Sequence, residues 1–198
     1  MPNPEHYRGI ELDYQEPSES ELINQVNSIP LESHMTVATA PFVLKMSLQE
    51  FWNAFYDDYA PFFVNKFLES KGDELLGETK WQDPSTLGKS FYTDRWVYDL
   101  KSYRTFDAKV YVDGNPFSDH LTSRINMLLL DKSETSIVSA EVIESSGMTY
   151  SERFRLIAKV ELYTPSPLSR QVVMRKSFTV HWLNKPWYVW RLIDPKAR

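Results

Sequence analysis

The chain has 198 residues, 14% of them aromatic, with four histidines, no cysteine and a net charge of -5. That length fits one domain with a substantial core, and the missing thiols exclude a disulfide framework, a thiolate metal site and a cysteine nucleophile. Seven acids against Arg8 leave the segment through Thr36 at -6 and the remainder near +1, so no cluster of Lys and Arg marks a nucleic-acid surface.

Residues 1 to 35 read as an acidic arm broken by Pro2, Pro4, Pro17 and Pro30. Met1-Pro2-Asn3-Pro4-Glu5 lacks the basic start and apolar run of a signal peptide, and no stretch nears the roughly 20 apolar residues of a membrane helix. A soluble, uncleaved chain is expected. The arm's organised piece follows Ser18, where Ser18 and Glu21 fit a capping box and Leu22, Ile23 and Val26 share one helical face. A helix this short needs a surface to dock on.

The body, residues 36 to 198, opens with a strand from Thr36 to Leu44. Ser47 and Glu50 form a second capping box before a helix carrying Leu48, Phe51, Trp52 and Phe55, and a further helix spans Ala60 to Leu68 behind Pro61. Strands are then expected at Leu75 to Trp81, Phe91 to Leu100, Arg104 to Val112, Arg124 to Asp131, Thr135 to Ile143, Glu152 to Tyr163 and Gln171 to Trp182, separated by turn residues such as Asp113-Gly114-Asn115-Pro116. The clearest alternation places Phe154, Leu156, Ala158, Val160 and Leu162 on one face of a long strand whose other face is mostly charged, the pattern of a strand buried on one side and wet on the other. The fold class is α+β: a curved antiparallel sheet of about six or seven strands, gripping two short helices that follow the first strand.

Enzymatic signals are poor. The chain shows no nucleophile elbow, zinc-protease motif, phosphate loop or dinucleotide fingerprint, and no metal or cofactor is expected. Asp57 and Asp58 are adjacent and fit a solvated helix end better than a carboxylate pair; His181 sits on the polar register of its strand. Arg95 and Lys176 interrupt apolar surroundings, and such a charge must be paired, hydrated or bound to a ligand's polar head. A salt bridge and a role for Lys176 opposite a hydroxyl or carboxylate both satisfy that requirement.

The order Phe55-Tyr56-Asp57-Asp58, Pro61-Phe62-Phe63, Trp81, Arg95 and Tyr98, Gly114-Asn115-Pro116-Phe117, Thr149 to Phe154 and His181 to Trp187 resembles the VASt (Aster) domain of the StAR-related, helix-grip superfamily. The resemblance covers about Val37 to Asp194. It implies a sterol or other lipid, such as a phospholipid, held without catalysis between curved sheet and helices, with Asn115, Pro116 and Phe117 in an entrance loop and a transient contact with a membrane. The pocket is then expected among Phe106, Val110, Met127, Val138, Ala140, Phe154, Leu156, Ala158, Met174, Lys176 and Phe178, in a protein of the cytoplasm or the periphery of an intracellular membrane.

The family's long C-terminal helix has no counterpart here, since only a short helix fits around Trp187, Trp190 and Arg191. The concave face then needs the arm with Leu22, Ile23 and Val26, a partner subunit or a further C-terminal portion to cover it. A non-catalytic structural subunit of a large organellar or cytoskeletal assembly is the alternative function. A small cyclase or hydrolase of the superfamily would need more convergent polar residues than Arg95, Lys176 and His181.

Overall fold

The computed structural model describes residues 14–60, 64–86, 100–112, 120–147 and 151–184. The expected strand at Phe91 to Leu100 with Arg95 and Tyr98, apart from Leu100 itself, the loop at Asn115 to Phe117, and the closing helix around Trp187 lie outside these residues, as does the start of the arm.

Helix α1 (Glu19–Ser28) precedes strand β1 (Thr36–Leu44). Helix α2 (Leu48–Phe51) runs on as a π-helical turn at Trp52–Tyr56, and α3 (Val64–Lys71) and β2 (Glu74–Glu78) follow. Strands β3 (Ser102–Tyr111), β4 (His120–Lys132), β5 (Ser136–Ser146), β6 (Phe154–Tyr163) and β7 (Val172–Trp182) complete the described elements. All pair antiparallel in one seven-stranded sheet of order β1-β7-β6-β5-β4-β3-β2. Strands β2 to β7 thus lie side by side in chain order, and β1 pairs with β7 at the opposite edge.

Both capping boxes form. The Glu21 amide donates to Ser18 Oγ at 3.4 Å and the Ser18 amide to Glu21 Oε2 at 2.8 Å; at α2 the corresponding distances between Glu50 and Ser47 are 3.2 and 2.7 Å. Strand β2 ends at Glu78, short of Trp81, yet the chain stays beside β3: the Thr79 amide donates to the Thr105 carbonyl at 2.8 Å, and Gln82 and Tyr103 exchange backbone hydrogen bonds of 2.7 and 3.1 Å. The residues expected to start β6 at Glu152 instead form a 3-10 turn, Ser151–Arg153.

The sheet is buried on both faces. On the front, Leu48, Phe51 and Tyr56 pack against Phe106, Met127, Leu129, Ile137, Val160, Leu162 and Val172. On the back, Tyr103, Leu128, Leu130, Ala140, Val142 and Ile157 pack with Met35, and α1 sets Leu22 and Val26 against Val173. At about 25 cal/mol per Å² of apolar surface removed from water, both layers contribute to the hydrophobic stabilisation.

The second layer corrects the expectation of a wet charged face. On β6, Lys159 and Glu161 lie under the arm: Glu161 and Arg175 are each 3% exposed, Arg175 Nε donates to Glu161 Oε2 at 2.7 Å, and Lys159 Nζ reaches Glu32 Oε1 at 3.0 Å. Burial alone would raise the Glu161 pKa; the Arg175 hydrogen bond and the charges of Lys159 and Arg175 outweigh it and hold the carboxyl below its ordinary range. Arg175 Nη1 also donates to the carbonyls of Val26 and Ile29, at 3.0 and 2.7 Å, satisfying the end of α1. The arm's helix therefore covers the back of the sheet, not its front.

Candidate functional site

The front face carries an open groove of about 470 Å³ between the sheet and the helices. Its outer wall is β1, through Phe42 and Leu44, continued by Met46; the opposing wall is Phe51, Phe55 and Tyr56, with Phe67 of α3 at the rim. The local sequence explains this wall. The Ser47 cap starts α2 so that Leu48 and Phe51 turn inward, and the π-helical turn that follows widens the helix and brings Phe55 and Tyr56 round to the same side. Phe51 and Phe55 rings lie 4.8 Å apart.

The floor comes from the strands: Met127 of β4, Glu141 of β5, Val160 of β6, and Met174 and Lys176 of β7. Lys176 pairs in register with Val160 and Glu141 with Ala158, so their contact crosses β6 diagonally, with Nζ 3.6 Å from Oε2. Beside them the Tyr56 hydroxyl and Ser139 Oγ share a hydrogen bond of 2.8 Å. Burial pushes the Tyr56 phenol well above its ordinary pKa, the Glu141 carboxylate adds to the rise, and the Ser139 bond opposes it.

Of the residues expected to line a pocket, Met127, Met174 and Lys176 meet in this groove. Ala158 and Phe178 occupy the neighbouring register row with Glu141 and Met127, and Phe106 is part of the front core. Leu156 is one row further along, Phe154 stacks obliquely on Trp182 at 5.4 Å, and Val110 pairs with Leu121 near the far end of β3. Val138 and Ala140 do not belong: they face the back, in the cluster with Leu128 and Ile157. Strand β5 is apolar on both sides, and its front positions include Ser139 and Glu141, so alternation of polarity points to the wrong face. Asn115, Pro116 and Phe117 lie outside the described residues.

Sequence reasoning missed Glu141, Tyr56 and the β1 wall. The signals present were the Leu48-Phe51-Phe55 helical stripe and the uncharged run of β1; neither indicates which face of the sheet it will meet.

Below the groove the aromatic residues are fixed by cations and backbone. Trp52 and Trp81 stack at 6.1 Å and 19°, Lys132 Nζ stands 3.3 Å from the Trp52 ring centre, and the Arg104 guanidinium lies 5.6 Å from that of Trp81. Trp81 Nε1 donates to the Tyr56 carbonyl at 2.7 Å, and its backbone amide donates to Asp58 Oδ1 at 2.9 Å. Asp57 Oδ1 accepts from the Tyr59 amide at 3.0 Å. The two aspartates thus serve two separate backbone amides. His181 is exposed and pairs with Arg155, away from the groove. Among the described residues no three His, Asp or Glu side chains gather as a metal site, and no helix is long and apolar enough to cross a membrane.

No protein-family model matches this chain, and no curated protein matches it in sequence.

Proposed function

We propose that the chain binds a lipid-like small molecule, sterol-like or with an acyl chain, in the front groove, and performs no chemistry on it. The observation that carries this reading is the groove itself: about 470 Å³, walled by Phe42, Phe51 and Phe55, with Met174 and one polar pair on its floor. Volumes of roughly 300–1,000 Å³, mostly apolar walls and few oriented polar groups characterise small-molecule sites. Three methionines, Met46, Met127 and Met174, add an adaptable lining suited to a flexible or irregular hydrocarbon. The resemblance of the motif order to the VASt domain supports the same reading, as does a helix wall facing an antiparallel sheet. Within this proposal the protein works in the cytoplasm or at the periphery of an intracellular membrane, where it exchanges its ligand.

The test is organic extraction of protein purified from its native cell, followed by mass spectrometry. A lipid recovered near one per chain supports the proposal. An extract without lipid, together with partners that stay bound through every step, favours the alternative of a structural subunit. The observation on that side is the rim, where Phe42 and Phe67 stand exposed beside an uncharged edge strand that a partner protein would cover.

A further inference from the structure

We infer that the groove selects a ligand whose polar end is a neutral group able to donate and accept a hydrogen bond at once, an alcohol in its simplest form, and that Lys176 and Glu141 together make the selection. The inference rests on the groove reading above and adds the identity of the head group.

Lys176 and Glu141 are placed by strands that are not neighbours, β7 and β5, and they meet over β6 between the Val160 and Ala158 positions. Around them the lining is Phe42, Met127, Val160 and Met174. A charge set among such residues stays stable only if its remaining donors or lone pairs find partners. The side chains of Lys176 and Glu141 are 41% and 19% exposed, so water supplies those partners until a ligand displaces it. Its separation of 3.6 Å exceeds the roughly 2.7–2.9 Å of a tight charge-assisted hydrogen bond. That spacing keeps the two charges compensated and leaves a hydroxyl able to sit against both, accepting from Nζ and donating to Oε2.

The same arrangement discriminates. The pair is neutral as a unit, so neither sign of charge on a ligand gains from it overall. A carboxylate that approaches Lys176 also meets the Glu141 carboxylate within a few ångströms, and an ammonium that approaches Glu141 meets Lys176. Like charges at such range in a partly desolvated site repel strongly. A hydroxyl meets neither penalty. Tyr56 and Ser139 share one hydrogen bond, which leaves one of their two hydroxyl protons for another acceptor, but neither group carries a charge, so the neutrality of the site is unchanged.

The experiment uses the whole chain and three probes with one hydrocarbon body: dodecan-1-ol, dodecanoate and dodecylamine, each below its micelle threshold, competing with the neutral dye Nile red. The proteins are wild type, E141Q and K176Q, each checked for folding by thermal melting, with M174W as a blocked-groove control. Dodecanol is expected to displace the dye from wild type at concentrations about tenfold lower than either charged probe. In E141Q dodecanoate improves about tenfold, and in K176Q dodecylamine does so. M174W loses dye and probes together. A wild type that prefers dodecanoate, or an order of the three probes that is the same in wild type and both variants, overturns the head-group inference while leaving the groove as a lipid site. If the wild type takes up no Nile red and no probe, the groove reading falls as well. The wild-type order alone decides the matter should a variant fail to fold.

Discussion

Arg175 and Glu161 form a 2.7 Å hydrogen-bonded ion pair almost sealed from solvent, on strands whose opposite faces line or support the groove. The same guanidinium holds the last carbonyls of α1, so one side chain joins the sheet to the arm. In Arg175→Met the Glu161 carboxylate stays buried with Lys159 as its remaining cation. A loss of about 3–5 kcal/mol is expected in urea unfolding, because a buried charge stripped of its partner is poorly compensated. Adding Glu161→Leu recovers much of that loss; a double variant no more stable than Arg175→Met contradicts this account.

The same pair sets a pH dependence. Glu161 is held below its unfolded pKa of about 4.3, so its stabilisation is complete well above that value and is lost as pH falls through the lower folded value. Urea midpoints measured from neutral to acid should fall more steeply below about pH 4.3 for wild type than for Glu161→Gln. Parallel curves for the two proteins would remove Glu161 from the explanation.

Ser47 determines where the helical wall of the groove begins. Ser47→Ala removes the acceptor of the Glu50 amide and is expected to lower stability by about 1 kcal/mol, read from the unfolding midpoint. Ser47→Asp should keep most of it, since aspartate caps comparably and favours the helix start.

Phe67 is 61% exposed at the rim. Phe67→Ser should leave stability within about 0.5 kcal/mol of wild type, as an exposed side chain contributes little to folding, yet weaken uptake of an apolar dye by the groove. Equal uptake in a titration would show that the rim takes no part in binding.

Much of the architecture is legible in the chain. Both capping boxes, the Phe154 to Leu162 alternation and the turn residues fix most element positions, since each acts within a few residues of itself. What alternation does not fix is which side of the sheet an apolar row joins when both sides are covered. Ala140 and Met127 both read as core, and they face opposite ways. Glu161 and Lys159 read as solvated because the helix that covers them lies more than a hundred residues earlier in the chain. The groove was legible only in part for the same reason: Phe42, Phe51 and Lys176 come together through the pairing of the first strand with the last.

That pairing also dictates an order of assembly. Strands β2 to β7 add to one another sequentially as they are made, whereas β1 and α1 both dock on β7. Helix α1 and strand β1 therefore wait for their landing place, and contacts of such long sequence separation form slowly. During that interval Leu22, Val26 and Phe42 lack the β7 residues they meet in the finished sheet. Nascent chains are accordingly most prone to stick to one another, and most in need of a chaperone, just before β7 emerges.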